Sequence, residues 1–92
     1  MRKKIYKPAK NIVWEEVAGE MIIFKLDNGE YFRLNNTGLI VWNGIVDGLR
    51  DDKIMRNLRD EFGGSPAQIS RDFSEFVDNL KNEGLVEEDE FF

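Results

Sequence analysis

Apolar residues in the first third of the chain follow the spacing of short β-strands. Residues 12–17 read IVWEEV, and residues 21–26 read MIIFKL. The second run is nearly continuous in apolar side chains, as expected of a central strand that is covered on both faces. Asn28 and Gly29 tolerate positive φ and therefore predict a hairpin turn into a third strand over residues 30–34. The pattern predicts a three-stranded antiparallel meander.

The next part of the chain has the three-to-four-residue spacing of α-helices. Residues 35–37 (NNT) offer side-chain oxygens to cap a first helix, which is predicted to end near Gly48. A second helix over residues 51–62 begins with two aspartates, which suit the helix dipole, and stops at Gly63. The apolar positions of these two helices are Leu39, Trp42, Val46, Leu49, Ile54, Leu58 and Phe62.

A third helix has the clearest boundaries. Ser65, Pro66 and Gln68 form a capping pattern at its start, and Gly84 is a suitable stop about 17 residues later. Its apolar stripe consists of Ile69, Phe73, Phe76, Val77 and Leu80. The elements together predict an α+β domain, in which a three-stranded antiparallel sheet is followed by three helices that cover one of its faces.

The second and third helices are joined by a glycine turn, which also suggests helix-turn-helix geometry and raises the question of DNA binding. A helix that reads a DNA groove usually carries bases, because neutralising phosphates supplies most of the non-specific affinity. The third helix carries only two bases, Arg71 and Lys81, against four acids at positions 72, 75, 78 and 83. We therefore expect no nucleic-acid partner, although a DNA-binding regulator stays an alternative because of the basic N-terminus.

The two ends of the chain carry opposite charges, although the net charge is −5. Residues 1–10 contain five bases and no acid, whereas residues 87–92 contain four acids and no base. We interpret these segments as a basic N-terminal arm and an acidic C-terminal tail, both solvated and frayed, around a domain over residues 11–86. Docking of a charged tail onto a partner is the alternative interpretation.

The residue types exclude most enzyme chemistry. The chain has no His and no Cys, so the commonest general base and the thiol nucleophile are missing, and the cysteine-free composition suits a reducing compartment such as the cytoplasm. The serines near the third helix have no activating partner in view, and no phosphate-binding loop or calcium loop is present. We expect no catalytic residue, no cofactor, no metal and no membrane span.

One stretch of the sequence resembles a known family. Residues 29–38 read GEYFRLNNTG and are followed by Val41-Trp42 and Asp47-Gly48, which is similar to the G-x-Y-x-x-L-N-x-T-G…W…DG signature of PqqD-like proteins. Further similarities, which extend the resemblance to most of residues 11–86, are Trp14, Ile54, Leu58, Asp72, Phe73, Phe76, Leu80, Gly84 and Leu85.

The resemblance implies a winged helix-turn-helix-like fold and a non-catalytic function. PqqD-like domains bind the leader of a ribosomally made precursor peptide and present it to a modifying enzyme, a radical SAM maturase or a lasso-type leader peptidase. In that family the leader adds as a strand to the third strand and lies beside the third helix. The residues that would bind the leader in this chain are Glu30, Tyr31, Phe32, Arg33, Leu34, Asp72, Phe76, Asn79, Leu80 and Glu83.

The turn at Asp27-Asn28-Gly29 departs from the Pro-Glu-Gly turn that often precedes the signature in the PqqD of quinone-cofactor biosynthesis. We therefore expect a lasso or radical SAM pathway rather than pyrroloquinoline quinone synthesis. The acids near the expected groove predict Lys or Arg in the leader, which would raise the association rate more than the affinity. A structural or oligomerising subunit stays an alternative function, and the exposed edge strand makes a homodimer possible.

Overall fold

The computed structural model describes residues 3–91 and confirms the α+β architecture. Its elements in chain order are β1 (Lys3–Pro8), β2 (Ile12–Val17), β3 (Glu20–Lys25), β4 (Tyr31–Leu34), α1 (Asn36–Val46), α2 (Asp51–Phe62), α3 (Pro66–Asn82) and β5 (Val86–Phe91). No helix in this part of the chain is long and apolar enough to cross a membrane. The three predicted strands and the three predicted helices are all present, and two further strands lie at the ends.

The predicted meander is a three-stranded antiparallel sheet in the order β2-β3-β4. Two main-chain hydrogen bonds close its second turn. Gly29 N–H donates to Lys25 C=O at 2.9 Å, and Lys25 N–H donates to Glu30 C=O at 2.8 Å. Gly29 has φ of 75°, a conformation that glycine adopts without steric cost. β4 therefore begins at Tyr31, one residue later than the sequence predicted, and it lies at an edge of the sheet.

The ends of the chain form a second sheet, so the expectation of frayed ends is wrong for the part of them that the structure describes, although the charged side chains of Lys7, Glu87 and Asp89 are exposed as expected. β1 pairs with β5 antiparallel over its whole length. Bases on β1 face acids on β5, with Lys4 Nζ 3.3 Å from a carboxylate oxygen of Glu88. Tyr6 of β1 and Val86 of β5 are buried in the core. The charge contrast of the two ends therefore favours their pairing into a two-stranded ribbon, and these two apolar residues fix the ribbon to the domain.

The core lies between the β2-β3-β4 sheet, the three helices and the terminal ribbon. Trp42 of α1, Ile23 of β3 and Ile54 of α2 are fully buried at its centre. The ring of Trp14 packs edge-on against Trp42, with 5.5 Å between the ring centroids. The remaining buried apolar residues are Tyr6, Ile12, Met21, Leu34, Val41, Ile45, Leu58, Phe73, Val77, Leu80, Leu85 and Val86.

Both sequence-predicted helix caps are confirmed by hydrogen bonds. Asn35 Oδ1 accepts from the Gly38 N–H at the start of α1, and Ser65 Oγ accepts from the Gln68 N–H at the start of α3. α3 has 17 residues and ends where Glu83 caps it, one residue before Gly84. The caps matter for the site below, because they fix where β4 passes into α1 and how α3 approaches the sheet.

Candidate functional site: the open edge of β4

The main chain of β4 is free to pair along one side. The hydrogen bond from Lys25 N–H to Glu30 C=O sets the alternation between β3 and β4. In an antiparallel pair, every second residue exchanges both main-chain bonds with its partner, so Phe32 and Leu34 bond to β3. Tyr31 and Arg33 therefore direct their N–H and C=O groups away from β3, toward the open edge. Strand addition needs this arrangement.

The side chains of β4 alternate between the two faces of the sheet. Leu34 is buried and Phe32 is half-buried, so both point toward the core, whereas Tyr31 and Arg33 lie on the outer face. The Arg33 guanidinium donates a hydrogen bond to the Glu20 carboxylate on β3, which raises the pKa of Arg33. A strand added to this edge would likewise place alternate side chains on the inner and outer faces.

A glycine in α1 allows the C-terminal end of β4 to lie close to α3. A Cβ built at Gly38, in the first turn of α1, would be 2.7 Å from the Cβ of Leu34 and 3.0 Å from the phenyl Cζ of Phe76. Only a residue without a side chain fits between these two groups. Gly38 of the L-N-x-T-G segment therefore lets β4, α1 and α3 meet at one point.

The other end of β4 lies close to the C-terminal end of α3. Lys25 Nζ donates to the main-chain oxygen of Glu83 at 2.9 Å and is also 3.7 Å from the Glu30 carboxylate. With the Gly38 junction, this contact places α3 alongside β4 and pointing in the opposite direction. Asp72, Phe76, Asn79 and Glu83 share one face of α3, because they recur at three- and four-residue spacing.

A cleft of about 310 Å³ opens near the end of β4, between the start of α1, the end of α2 and the first half of α3. Its walls are mostly apolar, and the polar groups among them come from Thr37, Gln68 and Asp72. The lining residues are Thr37, Val41, Leu58, Phe62, Gly63, Gly64, Gln68, Ile69, Asp72, Phe73 and Phe76. Phe76 belongs both to the cleft and to the junction beside Leu34, so the cleft adjoins the surface between β4 and α3, which we call the groove.

The structure brings most of the predicted site residues together. Asp72 and Phe76 line the cleft, and the predicted strand residues form β4. Glu30 lies in the turn before β4, where its carboxylate accepts a hydrogen bond from Asn28 Nδ2. Leu80 is 3% exposed and packs in the core, so its side chain does not reach the groove surface. Asn79 and Glu83 are exposed on α3.

The sequence did not identify the cleft itself. Phe62 remains 52% exposed at the end of α2, although its helical spacing grouped it with the buried Ile54 and Leu58. Ile69 is also only partly buried. The available signal was Phe62, an apolar residue at the end of its helical stripe and next to the Gly63-Gly64 turn. Spacing alone, however, does not distinguish a core position from the wall of a cleft.

Comparison with known proteins agrees with this geometry. A family model described as coenzyme PQQ synthesis protein D (PqqD) matches residues 20–86. The chain belongs to the PqqD family. Comparison with the curated proteins gives no significant match.

Two solved structures are similar over almost the whole chain. One is TbiB1 in complex with the TbiA(beta) leader peptide, which is 26% identical with a TM-score of 0.84, and the match covers 88% of this chain and 94% of that chain. The other is lasso peptide synthetase B1 complexed with the leader peptide, at 25% identity and a TM-score of 0.80, covering 89% of this chain and 96% of that chain.

Proposed function

We propose that this protein binds the leader region of a ribosomally synthesised precursor peptide by strand addition to β4 and delivers the peptide to a modifying enzyme. One observation carries the proposal: β4 has an open edge beside α3 in a chain whose similar solved structures are complexes with leader peptides. The binding is non-catalytic and requires no cofactor or metal, and we place it in the cytoplasm.

The bound leader is held in two ways. The outward main-chain groups of Tyr31 and Arg33 form hydrogen bonds with the added strand and tolerate many sequences, because every peptide carries the same backbone. Side chains on the inner face of that strand lie in the groove against Phe32, Leu34 and Phe76. The residues that we propose to bind the leader are Glu30, Tyr31, Phe32, Arg33, Leu34, Asp72, Phe76, Asn79 and Glu83, with Leu80 supporting Phe76 from the core.

The cleft beside Phe76 supplies specificity. An apolar side chain of the leader that leaves the end of β4 can enter the cleft and remove apolar surface from water at roughly 25 cal/mol per Å². Asp72 at the cleft wall and Glu83 at the far end of α3 favour a leader with Lys or Arg near its binding segment. The charges accelerate association, and the cleft and β4 provide most of the affinity.

The enzyme that receives the peptide is proposed from the similar structures. One of them is a lasso peptide synthetase B1 with its leader peptide, so we favour a lasso-type leader peptidase over a radical SAM maturase and over pyrroloquinoline quinone synthesis. The turn at Asp27-Asn28-Gly29 supports the same choice. A pull-down with tagged protein and mass spectrometry of the bound enzyme decides between these pathways.

The strand-addition test removes one main-chain donor from each edge of the sheet. Arg33→Pro deletes an N–H that points to the open edge of β4 and breaks no main-chain hydrogen bond to β3, although it also removes the side chain that pairs with Glu20. Glu16→Pro is the matched control on β2: the Leu26 N–H to Asn11 C=O bond, 2.9 Å long, sets the alternation there, so the Glu16 N–H also points outward. The ligand is a fluorescently labelled leader peptide of a candidate precursor, and polarisation measures its binding.

We expect Arg33→Pro to weaken leader binding at least tenfold and Glu16→Pro to leave it unchanged. Phe76→Ala is expected to weaken binding as well, because it removes the wall that the cleft and the groove share. Equal loss in both proline variants contradicts addition at β4. A wild-type protein that ignores the leader but binds duplex DNA with a steep salt dependence is a nucleic-acid binder. A protein that binds neither ligand and sediments as a stable oligomer is a structural subunit.

A further inference from the structure

The outer face of the β2-β3-β4 sheet carries an apolar row that ends at the open edge. Val13, Phe24 and Tyr31 lie opposite one another on the three strands, in that order. The rings of Phe24 and Tyr31 are 6.2 Å apart and tilted by 38°. Val13, Phe24 and Tyr31 form what we call the outer row, and all three of its side chains are exposed.

Exposure in the outer row is lowest at its centre and highest at Tyr31 on β4. Phe24, which has a neighbour on each side, is 39% exposed, whereas Tyr31 at the edge is 62% exposed. The missing neighbour of Tyr31 accounts for the difference, because no strand formed by residues 3–91 lies on the other side of β4. A strand added to β4 would place an outward side chain beside Tyr31 and would complete the row.

The next outward position on β4 has a different character. Arg33 lies opposite Ile22 and forms an ion pair with Glu20. The charge of Arg33 is thus neutralised within the domain. A residue of an added strand that lies beside Arg33 would contact this ion pair rather than an unpaired charge. Of the two outward positions on β4, only Tyr31 presents an unmatched aromatic surface.

We propose that Tyr31, backed by Phe24, selects an aromatic or β-branched residue at the outward position of the bound leader that lies opposite it. This inference rests on the proposed function and names a feature of its ligand. Cross-strand aromatic and β-branched pairs are the favourable ones on a sheet face, and a charged residue opposite an aromatic ring loses that packing. Exchanging the preferred leader residue for Ala lowers the affinity roughly two- to fivefold.

Charge explains why the outer row fits a peptide strand rather than a second copy of this chain. Glu15 lies on the same outer face, where Glu20 is already paired with Arg33, so the face is net negative, and the whole chain has a net charge of −5. Two copies packed through the row would bring two net negative faces together, and like charges on facing surfaces are repulsive. A leader that carries Lys or Arg meets no such repulsion.

The test changes the residue that makes the selection. Wild-type protein, Tyr31→Lys and Val13→Lys are each used to select binders from a phage-displayed library of random short peptides. Val13→Lys is the matched control, because it adds the same charge to the other end of the outer row, away from β4. Wild type is expected to enrich aromatic or β-branched residues at one position of the strand pattern, and Val13→Lys is expected to enrich the same residues.

Tyr31→Lys is expected to enrich Asp or Glu at that position while the inward positions keep their preference. The inference is overturned if Tyr31→Lys selects the same residues as wild type, or if Val13→Lys produces the same exchange. It is also overturned if wild type sediments as a dimer that Tyr31→Lys dissociates. Failure of the proposed function is distinct, because wild type would then enrich no peptide at all.

Discussion

Gly38 and Phe76 lie against each other where α1 meets α3, so closely that a Cβ at Gly38 would be 3.0 Å from the Phe76 ring. A second glycine of α1, Gly44, has a similar relationship with Ile54 of α2, whose Cγ1 would be 2.7 Å from an added Cβ. Side chains, rather than the backbone of another element, occupy the space at both positions. The two glycines offer a matched pair of substitutions, one at the groove and one away from it.

Gly38→Ala is expected to reduce both stability and leader binding. Overpacking costs about 1–3 kcal/mol, and the better helix propensity of Ala returns up to about 1 kcal/mol. Gly44→Ala is expected to lower the free energy of unfolding by a similar amount, measured by urea unfolding with Trp fluorescence. Only Gly38→Ala should weaken leader binding, because it displaces Phe76 or the end of β4. Unchanged binding by Gly38→Ala would show that the ring position does not matter.

Glu88 links β5 to both α3 and β1 and makes stability depend on acid. Its carboxylate accepts from Lys81 Nζ at 2.7 Å, and this hydrogen bond, with the nearby Lys4, lowers the pKa of Glu88 from its ordinary value of 4.5. A lowered pKa stabilises the fold above about pH 4.5, and the contribution is lost as the pH falls through the lowered value. Glu88→Gln should remove this part of the acid dependence in urea unfolding at a series of pH values.

The control for this prediction is Glu15→Gln on the other sheet, which removes the same charge at an exposed residue. This variant leaves the Glu88 contacts intact, so it should retain the acid dependence that Glu88→Gln loses. Added salt should also destabilise wild type more than Glu88→Gln, because salt screens exposed charge pairs. An identical loss of stability in acid for wild type and Glu88→Gln would show that the Glu88 contacts do not stabilise the ribbon.

The buried Tyr6 is expected to make the stability of the fold decrease at high pH. Burial, helped by the charges of Glu88, Asp51 and Asp78, raises the pKa of Tyr6 from 10.0 to about 12. Burial favours the neutral phenol over the charged phenolate. The stability that the buried phenol of Tyr6 contributes is therefore complete below about pH 10 and is lost as the pH rises toward about 12. Two pKa units correspond to roughly 2–3 kcal/mol. Tyr6→Phe should flatten this alkaline loss in unfolding experiments, and a phenol absorbance that titrates near pH 10 for every tyrosine would contradict the prediction.

Substitutions at Asp72 and Asp78 distinguish the effect of a charge in the groove on leader association from the effect of the net charge. Asp72 lines the cleft, whereas Asp78 lies on another face of α3, close enough to Tyr6 to raise its pKa. Asp72→Asn should slow association with a Lys- or Arg-containing leader severalfold at low salt, with little change in dissociation. Asp78→Asn removes the same charge and should leave the rate near that of wild type. Stopped-flow fluorescence measures both rates, and equal slowing by both variants would assign the effect to net charge.

Local signals in the sequence predicted the central elements correctly. Asn28-Gly29 predicted the hairpin, because both residues tolerate positive φ. Ser65-Pro66 predicted the start of α3, because a serine side chain can accept a hydrogen bond from a free backbone N–H in the first turn of a helix. The G-x-Y-x-x-L-N-x-T-G segment also identified β4 and α1 as the region of interest. The edge strand of the candidate site could therefore be predicted before the structure was known.

The errors of the sequence interpretation come from distant contacts. The pairing of β1 with β5 joins opposite ends of the chain, and nothing local distinguishes a charged strand from a charged tail. Leu80 was assigned to the groove but packs in the core, because one residue along a helix turns the side chain by about 100°. The cleft depends on how α2 and α3 diverge after Gly63, which apolar spacing does not reveal.

The ribbon of β1 and β5 has a topological consequence. Lys3 is the pairing partner of Phe91, so the described chain enters and leaves the fold at neighbouring positions. A polypeptide with its two ends side by side can be inserted into a surface loop of another protein without stretching either one. Grafted in this way into an enzyme that accepts an insertion, the domain would be joined to its host through β1 and β5 rather than through β4, and a leader bound at β4 as proposed would be held at a high effective concentration near the host enzyme.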